Sequence, residues 1–236
     1  MKKEENKVGI HQPNFFPWLG YFYKIHRSDK FVFLDDVQIE LASQQAYVNR
    51  TKINSPAGEA WITCPVSRKL SPTKIIKDIV FEPNNNWRKK IKKSLFFNYK
   101  KSAFFDETFP LAESLIENET ENLADFNIGI IESVCKHIGI TAEFFRASDL
   151  KTSSDERNQR LIEICTELGS SEYLSGKGGL KYHDPDLFQK SGIQIVDLGF
   201  QQKVYEQVHG DFQPGLSVLD VLFNCGKNGA FDLLKH

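Results

Sequence analysis

Pro13 and Pro17 follow directly on a short apolar strand, Val8-Gly9-Ile10, and the intervening loop begins with His11 and Gln12. Proline cannot serve in a helix interior, because it lacks the N–H and clashes with the preceding turn. A helix is therefore expected no earlier than Gly20, after which Tyr21 to Arg27 can coil. A second strand, Phe31 to Leu34, ends in Asp35, Asp36 and Gln38. Such a strand–loop–helix–strand unit points to the α/β class. Its polar residues gather where the strands run out, the edge at which open α/β sheets bind ligands. Phe15, Phe16, Trp18 and Tyr21 would give a cleft there apolar walls.

Further strands are expected at 46–53, 60–66 and 75–81, separated by Ser-Pro-Ala-Gly and Leu-Ser-Pro-Thr turns. From Trp87 the period changes: Trp87, Ile91, Leu95 and Tyr99 form one helical stripe. Helical patterning continues over 111–117 and over Leu123, Phe126, Ile130, Val134 and Ile138, stopped by Gly139. Beyond a strand at 142–146, Ser153 and Glu156 form a capping box for a helix striped by Leu161, Ile164, Cys165 and Leu168. Strands at 173–174 and 193–198 flank a short helix opened by Asp184-Pro185, and Ser217 caps a last helix, 218–224, closed by Gly226. The pattern predicts one α/β domain over 8–236, with a mainly parallel, Rossmann-like sheet, a helical insertion near 86–138 and a disordered tail over 1–7.

The chain of 236 residues is 40% hydrophobic and 26% charged, with a formal net charge of -1, so no global field points to nucleic acid or an anionic membrane. Cys64, Cys135, Cys165 and Cys225 are far apart, with no C-x-x-C pair, and read as reduced thiols. No apolar run suggests a signal peptide or a membrane span, so a cytoplasmic location is expected.

Four clusters could carry chemistry. His11 and Gln12 would meet Asp35, Asp36 and Gln38 if their strands are adjacent, giving an imidazole oriented by a carboxylate as a general base. The plainer reading of Asp35-Asp36 is a solvated turn. Asn49 and Arg50 follow a strand-like stretch, and a guanidinium suits phosphate or carboxylate. In the third cluster, Tyr173-Leu-Ser-Gly-Lys-Gly-Gly, small residues let backbone N–H groups of Ser175, Gly176 and Gly178 approach an anion, and Lys177 adds charge. The spacing is not that of a P-loop. Tyr205, Gln207 and Asp220 lead into the last helix, where Cys225 could act as a nucleophile only beside a positive group. The basic residues Arg88, Lys89, Lys90, Lys92, Lys93, Lys100 and Lys101 read as a solvated helix face rather than a nucleic-acid grip.

Together, residues 11–22 (HQPNFFPWLGYF), 31–38 (FVFLDDVQ), 49–53 (NRTKI), 173–179 (YLSGKGG) and 216–226 (LSVLDVLFNCG) resemble the WbqC-like family over essentially all of the chain after residue 7. The resemblance implies a place in bacterial O-antigen or other surface-polysaccharide synthesis, and glycine or aminoacyl transfer to an amino sugar. On that reading His11 is the base, oriented by Asp35 or Asp36. Arg50, Lys177 and the 175–179 backbone hold phosphates, and Trp18 or Tyr21 stacks on a ring. Gln12, Asn14, Gln38, Asn49, Tyr205, Gln207 and Asp220 complete the substrate contacts. The expected partners are a sugar nucleotide and an acyl or aminoacyl carrier, with no membrane and no dedicated nucleic acid. No motif demands a cofactor or a protein-bound metal; a nucleotide would bring Mg²⁺ with it. Two alternatives are a nucleotidyltransferase-like ATP-binding enzyme, with Asp35 and Asp36 on the metal side, and a non-catalytic binding protein of an assembly pathway. The opening unit also looks faintly like the HIGH-type nucleotidyltransferases, although their His-x-Gly-His pattern is absent.

Overall fold

A computed structural model describes residues 6–39, 46–83 and 85–235. The chain is an α/β protein that divides into two compact units. The first comprises Met1–Gln12, Tyr23–Asp35 and Thr141–Gln201; the second comprises Pro13–Phe22, Asp36–Ile140 and Gln202–His236.

The first unit holds five parallel strands: β1 (Lys7–His11), β2 (Lys30–Phe33), β5 (Glu143–Arg146), β6 (Glu172–Ser175) and β7 (Gln194–Asp197). Their order across the sheet is β5-β2-β1-β6-β7. From β1 the chain winds outward through β2 to β5, then crosses to β6 on the other side of β1. The direction of winding reverses between β1 and β6, which makes that gap the topological switch point. Helices α5 (Arg157–Glu167) and α7 (Pro185–Lys190) supply the crossovers to β6 and β7. Their apolar side chains join Val8, Ile10, Val32 and Tyr173 in one core that includes Leu161, Ile164, Cys165 and Phe188. Phe31, Phe33 and Phe144 pack together as a separate aromatic cluster, with Phe33 stacked on Phe144 at 5.5 Å. A one-turn helix, α6 (Lys177–Leu180), follows β6 directly.

The second unit contains a hairpin, β3 (Arg50–Ser55) and β4 (Gly58–Thr63), with α2 (Trp87–Tyr99), α3 (Phe105–Ile116), α4 (Leu123–Ile138) and α8 (Val218–Asp232). The four-residue stripe of α2 is buried as its period requires. Trp87, Phe81 and Phe126 meet with ring centroids 4.8–5.5 Å apart. The remaining helix, α1 (Leu19–His26), begins two residues after Pro17, earlier than expected.

Several local expectations are corrected. The segment 75–81 is not a strand but a 3-10 turn at Ile76–Asp78. Thr73 Oγ1 accepts from the Ile75 N–H and donates to Asp78, so side-chain bonds displace the ladder. The hairpin strands lie later than 46 and stop before 66. Glu156 itself caps α5, accepting from the N–H groups of Asn158 and Gln159, because Ser153 donates its N–H to Glu163 instead. α3 begins at Phe105, earlier than expected, and tolerates Pro110. Gly226 kinks α8 rather than closing it. Its φ is 66°, and a methyl there would stand 2.5 Å from the Phe104 ring, so only glycine fits. Of the expected tail, residues 1–5 lie outside the described residues, and Lys7 opens β1. Among the described residues, no helix is long and apolar enough to cross a membrane.

Candidate functional site

His11 is the last residue of β1 and Ser175 the last of β6, so the two adjacent parallel strands deliver both to the same sheet edge. The ladder between them ends at Gly9↔Leu174, so the last residues of the two strands are not paired in it. Gly9 is required at that place: a methyl on it would lie 2.3 Å from Ser28 Oγ and 2.9 Å from the Phe31 ring.

The His11 ring is half-buried, with Nδ1 3.1 Å from the Gln12 carbonyl oxygen. If Nδ1 carries the proton and donates to that carbonyl, Nε2 is the basic nitrogen of the neutral ring. Burial, reinforced by the nearby Lys24 ammonium, lowers the His11 pKa from 6.5 to about 4, and the bond to Gln12 only partly opposes this. The imidazole is therefore neutral at neutral pH.

Across the gap, Ser175 Oγ lies 2.9 Å from His183 Nε2, and Ser175 is 1% exposed. The Tyr173 ring packs edge-on against His183 with centroids 5.3 Å apart. Burial lowers the His183 pKa, and Arg157 and Lys24 lower it further. His183 Nδ1 is buried without a hydrogen-bond partner. Gly179 permits this arrangement, since a methyl there would stand 2.7 Å from Ser175 Oγ and 3.0 Å from His183 Nε2. Beyond the dyad, Gly176 is half-buried, while Lys177 and Gly178 are exposed.

Lys24, on α1, joins this group with its Nζ donating to the Ile10 carbonyl at 2.8 Å. Sequence reasoning missed Lys24 and His183. A cation inside the otherwise apolar run Leu19-Gly-Tyr-Phe-Tyr-Lys-Ile25 was the available signal for the first. Nothing local marked His183.

Asp35 belongs to the same unit but is engaged in a different role. Its carboxylate accepts from Arg146 Nε at 2.7 Å, from the Ser148 N–H at 3.0 Å and from Ser148 Oγ at 2.9 Å. Fully buried, it fastens the end of β2 to the end of β5. These three bonds engage both carboxylate oxygens, which weighs against the expected orienting or metal-side role.

Apart from Cys165, the other residues singled out in the sequence and described next lie in the second unit. Tyr205 Oη, Gln207 Nε2 and Tyr99 Oη donate to the buried Asp220 carboxylate at 2.7, 2.9 and 2.8 Å. Burial raises the Asp220 pKa, and these donors oppose the rise. The cluster is directed inward and ties α2 to α8. Arg50 donates Nε to the Ala46 carbonyl, and its guanidinium lies 4.3 Å from the Trp61 ring centroid. Asn49 is buried and donates to the Cys64 carbonyl. Trp18, 39% exposed, lies over Gly20, whereas Tyr21 is 2% exposed and packs in the core, so only Trp18 offers an accessible ring. Asn14 is buried, Asp36 half-buried, and Gln38 exposed in a bridge with Ile75. The thiols are free: burial pushes Cys165 up to about 12 and Cys225 up to about 11, with Asp220 adding to the latter. Neither is an activated nucleophile. Among the described residues, no group of three or more His, Cys, Asp or Glu side chains could hold a metal ion.

The sequence model of the WbqC-like protein family matches residues 12–231. The chain is also 32% identical over 232 residues to the uncharacterized protein Rv1507c of Mycobacterium tuberculosis (strain ATCC 25618 / H37Rv), covering 98% of each. No solved structure matches it.

Proposed function

The chain belongs to the WbqC-like protein family, and from that premise we propose that it transfers an acyl or aminoacyl group, such as glycyl, to the amino group of a nucleotide-linked sugar used in surface-polysaccharide synthesis. The observation that carries this reading is the placement of a neutral His11 and the Ser175–His183 pair on either side of the β1–β6 switch point. Nucleotides bind at such points in open α/β sheets.

The reaction requires the acceptor nitrogen to lose a proton as the new C–N bond forms. A neutral imidazole at His11 can take that proton and pass it to the departing group of the acyl donor. Its depressed basicity makes it a transient carrier rather than a resting cation. Lys177, exposed just beyond β6, adds a cation beside the Ser175–Gly178 turn, where it can meet a phosphate. Arg50 is left out of this scheme, because its guanidinium is engaged by the Trp61 ring and the Ala46 carbonyl.

A second reading, ATP-dependent adenylyl transfer, draws support from the same strand order. The engaged Asp35 carboxylate counts against it. Incubation of the protein with a nucleoside-diphosphate amino sugar and an acyl thioester or aminoacyl donor separates the two. An N-acylated sugar nucleotide by mass spectrometry supports transfer. Release of pyrophosphate from ATP, without that product, would replace it with the second reading.

A further inference from the structure

Among the described residues Lys24 is a buried cation without a counter-charge, and we propose that the unpaired ends of β1 and β6 form an oxyanion subsite in which its ammonium pairs with a phosphate of the ligand. The inference rests on the reading above and narrows it: phosphate, rather than the sugar or the acyl portion, is what the crevice holds.

The backbone fixes where the ammonium sits. The His11 carbonyl accepts from the Leu34 N–H on the β2 side of the strand. Successive carbonyls of a strand point to opposite sides, so the Ile10 carbonyl points toward β6. The β1–β6 ladder has ended one residue earlier, at Gly9↔Leu174, and Lys24 Nζ reaches that carbonyl in place of a strand partner. The side chain thus turns inward to the gap instead of snorkelling to water, and Lys24 is 6% exposed.

Buried charges in proteins are normally paired, because desolvating an ion costs several kcal/mol or more. Among the described residues, the partners of Lys24 are one carbonyl and the face of Tyr173, whose centroid is 5.7 Å away. The titratable groups around it are His11 on β1, Tyr173 on β6, His183 beyond α6 and Cys165 on α5, and none is anionic at neutral pH. Burial lowers the Lys24 pKa to about 8, the nearby Cys165 opposing the change. Such a site lacks one component, a negative charge. Lys177, exposed past the end of β6, supplies a second cation to the same edge, which favours a phosphate over a singly charged carboxylate.

An anion on Lys24 would raise its pKa again, so binding at alkaline pH must take up a proton. Calorimetry of the full chain with inorganic pyrophosphate, in buffers of different ionisation enthalpy, reads this directly. Pyrophosphate also exchanges protons as it binds, so the readout is the difference between wild type and Lys24→Met: the wild type should take up most of a proton more than the variant at pH 8.5 and almost none more at pH 6.5. Lys24→Met should weaken pyrophosphate binding about 10- to 100-fold, the value of one charge-assisted hydrogen bond. It should also leave the melting temperature unchanged or higher, since it removes an unpaired buried charge. Unchanged affinity in Lys24→Met, or proton uptake in the wild-type chain no greater than in Lys24→Met at pH 8.5, would overturn the inference. Stabilisation by acetate or glycine but not by pyrophosphate would overturn the choice of phosphate. Failure here is separable from failure of the transferase reading: N-acylation with an unaltered KM in Lys24→Met removes the subsite and leaves the transferase. Pyrophosphate binding with that excess proton uptake, in a protein that forms no N-acyl product, does the reverse.

Discussion

Replacing His11 by Gln removes one titrating group from the end of β1 and should flatten the acid side of the stability profile. The folded-state pKa of His11 lies at about 4, against 6.5 for an unperturbed imidazole, so the unfolded chain binds the proton more tightly. The contribution to stability is therefore present above pH 6.5 and is lost as the pH falls toward 4. At about 1.36 kcal/mol per pH unit, the wild-type protein should lose about 1.8 kcal/mol between pH 7 and pH 5 from this group alone. The ring is half-buried and solvent screens part of the effect, so about 1–2 kcal/mol is the expected range. Urea unfolding followed by circular dichroism at pH 7, 6 and 5 measures it as the difference between wild type and His11→Gln. The remaining histidines are common to both proteins, and their contributions cancel. Parallel profiles for the two proteins would refute the reasoning, because His11 would then protonate as readily in the fold as in the unfolded chain and could not serve as a neutral acceptor.

Asp220→Ala strands the hydroxyls of Tyr99 and Tyr205 and the amide of Gln207 in a buried site, and should cost about 3–5 kcal/mol by guanidinium unfolding. Asp220→Asn, whose Nδ2 must face one of these donors, should cost nearly as much, and a loss under half that of Asp220→Ala would contradict the assignment of a charged-acceptor network. Gly179→Ala drives a methyl against Ser175 Oγ and His183 Nε2, and should lower stability by about 1–3 kcal/mol while abolishing acyl transfer. Full transfer activity in that variant would show that the dyad is only a packing contact.

The sequence already carried the α/β class, because Pro13 and Pro17 separate a strand from a helix so firmly that the first unit of the sheet can be read from about thirty residues. It carried the stripe of α2 for the same reason: Trp87, Ile91, Leu95 and Tyr99 repeat at a helical period that no strand tolerates. What it did not carry was pairing between distant segments. Asp35 reads as a partner for His11 because both end strands, yet Arg146 and Ser148 reach it first, more than a hundred residues away along the chain. Asp220, Tyr205 and Gln207 read as a binding group because polar residues precede a capped helix, whereas Tyr99 draws them into the interior. Ile75 to Phe81 has the composition of a strand, but Thr73 and Asp78 bend it into a turn through side-chain bonds that composition does not reveal. Lys24 shows the opposite failure. Its position in an apolar run was visible, and only the end of the β1–β6 ladder gives that position a chemical meaning.

Imidazole nitrogen NMR during titration with a nucleoside-diphosphate amino sugar tests the central claim most directly, with His11→Gln and His183→Ala used to assign the resonances. The account predicts that the signals of His11 and His183 both move as the ligand saturates. Saturable binding that leaves His11 and His183 unmoved would contradict it, and the switch point of the sheet would not be the site.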